Sequence, residues 1–225
     1  MACETETKPI EFQTVSIENT YNSDISVNID KASGNSALSE QINSNIEKCI
    51  VTSLSDSLNN ESLETLLNSF DKDYIEFKND FPESAEPVWE LHIETEATYQ
   101  SESVISIAVS TYDFQGGAHG NDKITFLNLD AKTGKQLAFS DLIEDSEEFK
   151  NLAQTHFIKS LEDEDEGSSM EDFFFGKSFQ LPENIGFSDD GLVMLYNIYE
   201  IASYAQGYTE FVIPFEEVKS FLKLY

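Results

Sequence analysis

Two runs of alternating residues flank one glycine-rich stretch, and that arrangement limits the fold more than any other part of the chain. Ile105, Ile107 and Val109 alternate with Ser106, Ala108 and Ser110, the period of a strand with one buried face. Further on, Ile124, Phe126 and Asn128 alternate with Thr125, Leu127 and Leu129, a second strand whose reverse face is the more apolar. Between them stands Tyr112-Asp113-Phe114-Gln115-Gly116-Gly117-Ala118-His119-Gly120. Glycine reaches backbone angles closed to other residues, so this loop can turn tightly or approach a partner closely. Two readings stand side by side: a binding loop carrying Asp113 and His119, or a plain strand connection in which His119 satisfies nearby backbone groups.

Composition narrows the class of partner. The 225 residues include 17 Phe and 9 Tyr, enough apolar material for one large domain or two small ones, each with a core. The formal net charge is −30, from 43 acids against 13 bases, and every one of those bases is lysine. Such a surface repels phosphate backbones, so no nucleic-acid partner is expected. It favours a cationic partner or a divalent ion, or it serves solubility alone. No stretch approaches the length of a membrane-spanning helix.

Ala2-Cys3 resembles the cleavage site of a bacterial lipoprotein. On that reading Cys3 carries a lipid, the following polar residues form a tether, and the membrane is met only through the lipid. Cys49 falls on an apolar helical face and reads as a small core residue. Two cysteines in such different settings form neither a disulfide framework nor a metal spacing.

In chain order, residues 9–17 alternate as a first strand, and an Asn/Ser/Asp-rich loop follows. Helical spacing from Leu38 through Ile42, Ile46, Cys49 and Ile50 predicts a helix capped by Asn35 or Ser36. A second helix carries Leu63, Leu66, Leu67, Phe70, Tyr74, Phe77 and Phe81 on one core-facing side and ends before Pro82. Residues 89–96 alternate with His92 on the polar face, among glutamates. Turn chemistry at 130–135 suits a hairpin. A helical region then runs through Phe149, Leu152, Phe157 and Leu161, followed by a short helix or tight turn at 170–175. Strands at 192–198 and 209–213 and a short helix from Pro214 complete the chain.

Several chemical motifs fail on inspection. The run Glu162-Asp163-Glu164-Asp165-Glu166-Gly167 places Phe173 where an EF-hand needs a bidentate acid, so it reads as a solvated acidic loop. Thr133-Gly134-Lys135 lacks the glycine frame of a phosphate loop. Phe187-Ser188-Asp189-Asp190-Gly191 looks superficially like a carbohydrate-deacetylase motif. The three histidines, His92, His119 and His156, all precede it and are widely spaced, so it reads as a turn. No nucleophile elbow is present. No catalytic residue, metal site or cofactor is expected.

The runs Gly116-Gly117-Ala118-His119-Gly120, Phe126-Leu127-Asn128-Leu129-Asp130, Thr133-Gly134-Lys135 and Ser140-Asp141-Leu142 resemble the PdaC/RsiV-like family. So does Tyr199-Glu200-Ile201-Ala202-Ser203-Tyr204-Ala205-Gln206-Gly207, followed by Phe211-Val212-Ile213-Pro214-Phe215. The likeness covers roughly residues 100–222 and extends more loosely over 9–98. Ser203 stands where that family usually has proline, a departure expected to loosen the loop. The resemblance implies an α+β fold of two small subdomains, each an antiparallel sheet packed with helices. The expected division is a lipoprotein tether at 1–8, a PdaC-like subdomain at 9–100 and an RsiV-like subdomain at 101–225. It further implies an extracytoplasmic, lipid-anchored location in a bacterial envelope. Members of that family form the outer part of lysozyme-sensing anti-sigma factors or stand beside peptidoglycan deacetylase domains, and the shared region holds no catalytic residue.

The expected function is therefore a non-catalytic envelope binding module for lysozyme or another cationic protein. Its candidate contacts are Tyr112, Asp113, Gly116, Gly117 and His119 in one loop and Tyr199, Glu200, Tyr204 and Gly207 in the other. Hydrogen-bonded packing inside the domain is an equal reading of Tyr199 and Tyr204. The alternative function is binding of peptidoglycan or another cell-wall glycan, with the same aromatics stacked on sugar rings. A hydrolytic site of Asp113, His119 and Glu200 is the third reading.

Overall fold

The computed structural model describes residues 9–17, 19–54, 62–84, 87–144, 146–164 and 170–224. Cys3 and the expected tether lie outside the described residues, as does the end of the acidic run, 165–167. The chain folds as α+β in two compact units that divide between Gln136 and Leu137. The boundary expected at 100/101 instead falls within a hairpin. β3 (Glu90–Gln100) and β4 (Val104–Phe114) pair across it, from Glu90 opposite Phe114 to Gln100 opposite Ile105.

The first unit is an open sheet in the order β1-β2-β3-β4-β5, adding β1 (Phe12–Ser16), β2 (Asp24–Ala32) and β5 (Asn121–Asp130) to that hairpin. The sheet is mixed rather than antiparallel throughout, because β2 and β3 run parallel. Parallel neighbours need a long crossover. Helices α1 (Ala37–Leu54) and α2 (Leu63–Asp80) supply it.

β2 occupies part of the segment expected to be a loop. Its Ile25, Val27 and Ile29 alternate, but Asn, Ser and Asp on the other face gave the stretch the composition of a turn. α1 starts where Ser36 Oγ accepts from Ser39 N at 3.0 Å, and it lays Ile42, Ile46 and Ile50 on the sheet. Those residues meet Val27, Ile93, Ile107 and Leu127 in one core.

The aromatic stripe of α2 is only partly core. Leu67 and Tyr74 are buried, and Phe70, Tyr74 and Phe77 gather around Trp89 with ring centroids 5.2–5.8 Å away. Phe81, expected to be on that face, is 57% exposed. Pro82 disfavours helical angles at the preceding residue, and Phe81 leaves the helix at φ −133°, ψ 63°.

The second unit holds an antiparallel sheet, β6 (Ile185–Ser188), β7 (Gly191–Tyr196) and β8 (Thr209–Pro214), in that order. The single turn α3 (Phe139–Leu142), helix α4 (Glu147–Glu164) and the single turn α5 (Phe215–Val218) accompany it. α4 buries Phe149, Ala153, Phe157 and Leu161, so Ala153 takes the place expected for the half-buried Leu152. Phe157 is the hub of the aromatic core, with Phe173, Phe174, Phe179, Tyr196 and Phe211 rings within 6.0 Å. Asp189 and Asp190 form the β6–β7 turn, in line with the reading of Phe187–Gly191, and β6 itself is an addition to that reading. Among the described residues no helix is long and apolar enough to cross a membrane.

Candidate functional site

The glycine-rich stretch proves to be the end of the β4–β5 hairpin. Tyr112 and Asp113 belong to β4, opposite Asp122 and Asn121 of β5, and only 115–120 form the loop. Gly116 and Gly117 sit at φ +92° and +108°, and an added Cβ at either would meet nothing within 4 Å. Backbone conformation, rather than crowding, demands glycine there. Gly120 is different. Its φ is ordinary, but a Cβ would overlap the ring of Tyr112, which lies directly on it.

Alternation along β4 sends Tyr112 and Asp113 to opposite faces of the sheet. The Asp113 carboxylate accepts from Asn121 Nδ2 at 3.3 Å and from Gln115 Nε2 at 3.4 Å. His119 is exposed, with Nδ1 3.2 Å from the Gly120 carbonyl. Asp113 is thus held by amides of its own hairpin.

Tyr112 points away from α1 and α2, onto a face that opens as a cleft of about 250 Å³. The strand register lines up Ser26, His92, Tyr112 and Asp122 in one row across β2 to β5, and Asn28, Glu94 and Ser110 in the next. The rings of His92 and Tyr112 stack at 5.7 Å and 13°. His92 Nε2 lies 3.5 Å from Glu90 Oε2. His92, Glu94 and Asp122 were not singled out as site residues from the sequence. Alternation through 89–96 puts His92 and Glu94 on one face, but what lies opposite them is set by a register that local pattern does not reveal.

Tyr199, Glu200, Tyr204 and Gly207 belong to the second unit. Tyr199 and Tyr204 are 57% and 37% exposed, with ring centroids 5.6 Å apart. Tyr199 takes φ +69°, a left-handed conformation unusual for a bulky residue. Only Phe174 and Phe175 share that property among the described non-glycine residues. The three belong to one locality, since Phe174 N donates to the Ile201 carbonyl at 2.6 Å.

Glu200 Oε2 accepts from Asn197 N at 2.8 Å. Desolvation nevertheless raises the Glu200 carboxyl above its ordinary range, with nearby Glu183 adding to the shift. Burial, then the Glu200 charge, pushes the phenol of Tyr196 far up, and that hydroxyl donates to the Gln180 carbonyl at 2.5 Å.

Ser203 has φ −72°, close to the angle a proline ring imposes. Its N–H and hydroxyl both donate to Gln206 Oε1, at 3.1 and 3.0 Å. A side-chain cap stands where the resembling family usually has proline. His156 lies elsewhere in this unit and meets Glu217 at 3.2 Å. Among the described residues, no three His, Cys, Asp or Glu side chains gather to hold a metal.

Residues 14–122 match the family model described as Deacetylase PdaC, and 131–216 match that described as a protein of unknown function, DUF3298. The chain is a PdaC/DUF3298-like protein. Its two matches follow the two units in order, each lying largely within one of them. A DUF3298-family structure from Bacteroides fragilis superposes with a TM-score of 0.70 at 19% identity, over 95% of this chain and 93% of that one. A DUF3298-family protein from Pseudomonas aeruginosa gives 0.68 at 20% identity, over 96% and 95%. At such identities the likeness establishes the shared fold alone. No curated protein matches the chain.

Proposed function

We propose that this PdaC/DUF3298-like protein is a non-catalytic binding module of the bacterial cell envelope, lipid-anchored through Cys3, that recognises a cationic protein of the lysozyme kind. The observation that carries the reading is the pair Tyr199 and Tyr204, two exposed rings beside Glu200 on a chain of net charge −30. Large aromatics with a polar tip are favoured anchors in protein interfaces, and opposite charge speeds encounter. The left-handed backbone at Tyr199 adds support, because such strain concentrates where a surface is held ready for a ligand. The hairpin end at 112–119 supplies the second contact surface. Glycan binding is the second reading, favoured by the same exposed rings, which suit the faces of sugars.

Calorimetric titration with a chicken-type lysozyme, at low and at moderate salt, tests the proposal. Saturable binding is expected to survive moderate salt and to weaken about tenfold or more in Tyr199→Ala or Tyr204→Ala, as for interface anchors. Binding abolished by screening alone is mere attraction between opposite net charges, and it counts against the proposal. Heat from peptidoglycan fragments with none from lysozyme decides for the glycan reading.

A further inference from the structure

The cleft on the first unit's sheet shares Tyr112 with the hairpin end but otherwise has a chemistry of its own. Its floor comes from alternation. Val27, Ile93, Val109 and Leu127 turn into the core, so Ser26, Asn28, His92, Glu94 and Ser110 emerge on the opposite side. One wall is the stacked pair His92 and Tyr112, with Tyr112 seated on Gly120. Glu94 and Asp122 both line the cleft, and no lysine does. Neither carboxylate has a hydrogen bond or ion pair within the protein among the described residues.

Charge and size select the ligand. Two uncompensated carboxylates repel an anion. A bare metal ion lacks the three converging ligands it would need among the described residues. The volume, about 250 Å³, lies below the roughly 300–1,000 Å³ of most small-molecule sites. It matches one long side chain better than a chain of sugars. A basic side chain combines an apolar stem with a charged head. The ring wall suits the stem, and Glu94 and Asp122, lining the cleft from either side of β4, give it the negative charge that attracts the head.

We infer that this cleft, lined by His92, Tyr112, Glu94 and Asp122, is a subsite for a single lysine-type side chain presented by a protein partner. That the side chain arrives on a basic protein rests on the function proposed above. The cleft's preference for an organic ammonium does not.

The test uses the full chain and follows the ring signals of His92 and Tyr112 by NMR at constant ionic strength. Nα-acetyl-lysine methylamide is the probe, with Nα-acetyl-norleucine methylamide and N-acetylglucosamine as controls. Saturable shifts confined to the cleft are expected from the lysine derivative only. They should weaken about threefold to tenfold in Glu94→Gln/Asp122→Asn, as expected for removing two exposed carboxylates from the cleft. The same spectra show whether that variant is folded, and Ser110→Leu, which narrows the cleft without touching charge, provides a second variant expected to lose the shifts.

Linear, unsaturable shifts, equal binding by the double variant, or binding of either control overturns the subsite. Lysozyme titrated into the same double variant separates the two proposals. Full lysozyme affinity together with lost probe binding removes lysine capture from that interface while the function proposed above stands. Probe binding by the unaltered chain without lysozyme binding leaves the ammonium site and removes the proposed partner.

Discussion

The carboxylate of Asp71, on α2, accepts four hydrogen bonds from two residues at the entry to β2. The donors are Asn22 N at 2.6 Å, Asn22 Nδ2 at 3.1 Å, Ser23 N at 2.8 Å and Ser23 Oγ at 2.8 Å. Desolvation works to raise the carboxyl, but the bonds from Ser23 and Asn22 together outweigh it and hold it below its ordinary value. A carboxyl lowered by folding stabilises the protein fully above its unfolded pKa, near ~3.9, and loses that contribution as pH falls through the folded value. Asp71→Ala is therefore expected to lower stability by about 1–2 kcal/mol at neutral pH, the sum of several charged hydrogen bonds discounted for partial exposure. Urea unfolding followed through Trp89, the chain's single tryptophan, checks this. The gap between variant and parent should close below about pH 4. A gap that is constant in pH would show that the carboxylate's charge contributes nothing. At the same scale Cys49 is chemically quiet, because burial pushes its thiol up to about 11 and leaves little thiolate at neutral pH.

Among the elements, the β4–β5 hairpin separates two uses of glycine. Gly117→Ala places a side chain in open space at φ +108° and should cost about 1–2 kcal/mol of stability through backbone strain alone. Gly120→Ala keeps an ordinary φ but drives a methyl group into the Tyr112 ring, so it should disturb the His92 and Tyr112 ring signals as well. Thermal melts and ring NMR on both variants test the distinction, which fails if Gly117→Ala moves those rings as far as Gly120→Ala does. Much of this hairpin was legible in the sequence, because Ile105, Ile107 and Val109 alternate cleanly and the two strands are local neighbours. β2 was not, since its polar face resembles a loop and its partner β3 lies beyond two helices. Phe81 misled for a related reason: helical periodicity continued past the point where Pro82 ends the helix. Of the candidate site, Tyr112 and the exposed Tyr199 and Tyr204 came from local motifs. The juxtaposition of His92, Tyr112 and Asp122 came from sheet register, which depends on long-range pairing.

The whole molecule joins a five-stranded mixed sheet and a three-stranded antiparallel sheet in one acidic chain without arginine. Lysine is its only permanent cation, so planar bidentate grips on carboxylate or phosphate are closed to it. The parallel pairing of β2 with β3 also sets a timetable for folding. Asp113 meets Asn121 within one hairpin, whereas Asp24 meets Glu90 only after α1 and α2 have been threaded between them. Loop-closure entropy rises with the length enclosed, and distant pairings are slow to form. The β3–β4–β5 meander is therefore expected to assemble first, with β2 and then β1 zipping onto its edge after the helices have collapsed. Pulse-labelled hydrogen exchange during refolding should find amides of β4 and β5 protected before those of β1 and β2. Simultaneous protection of all five strands would refute that order. In the interval between the two events, the β3 edge is a bare template, open to any extended chain that reaches it before the protein's own second strand.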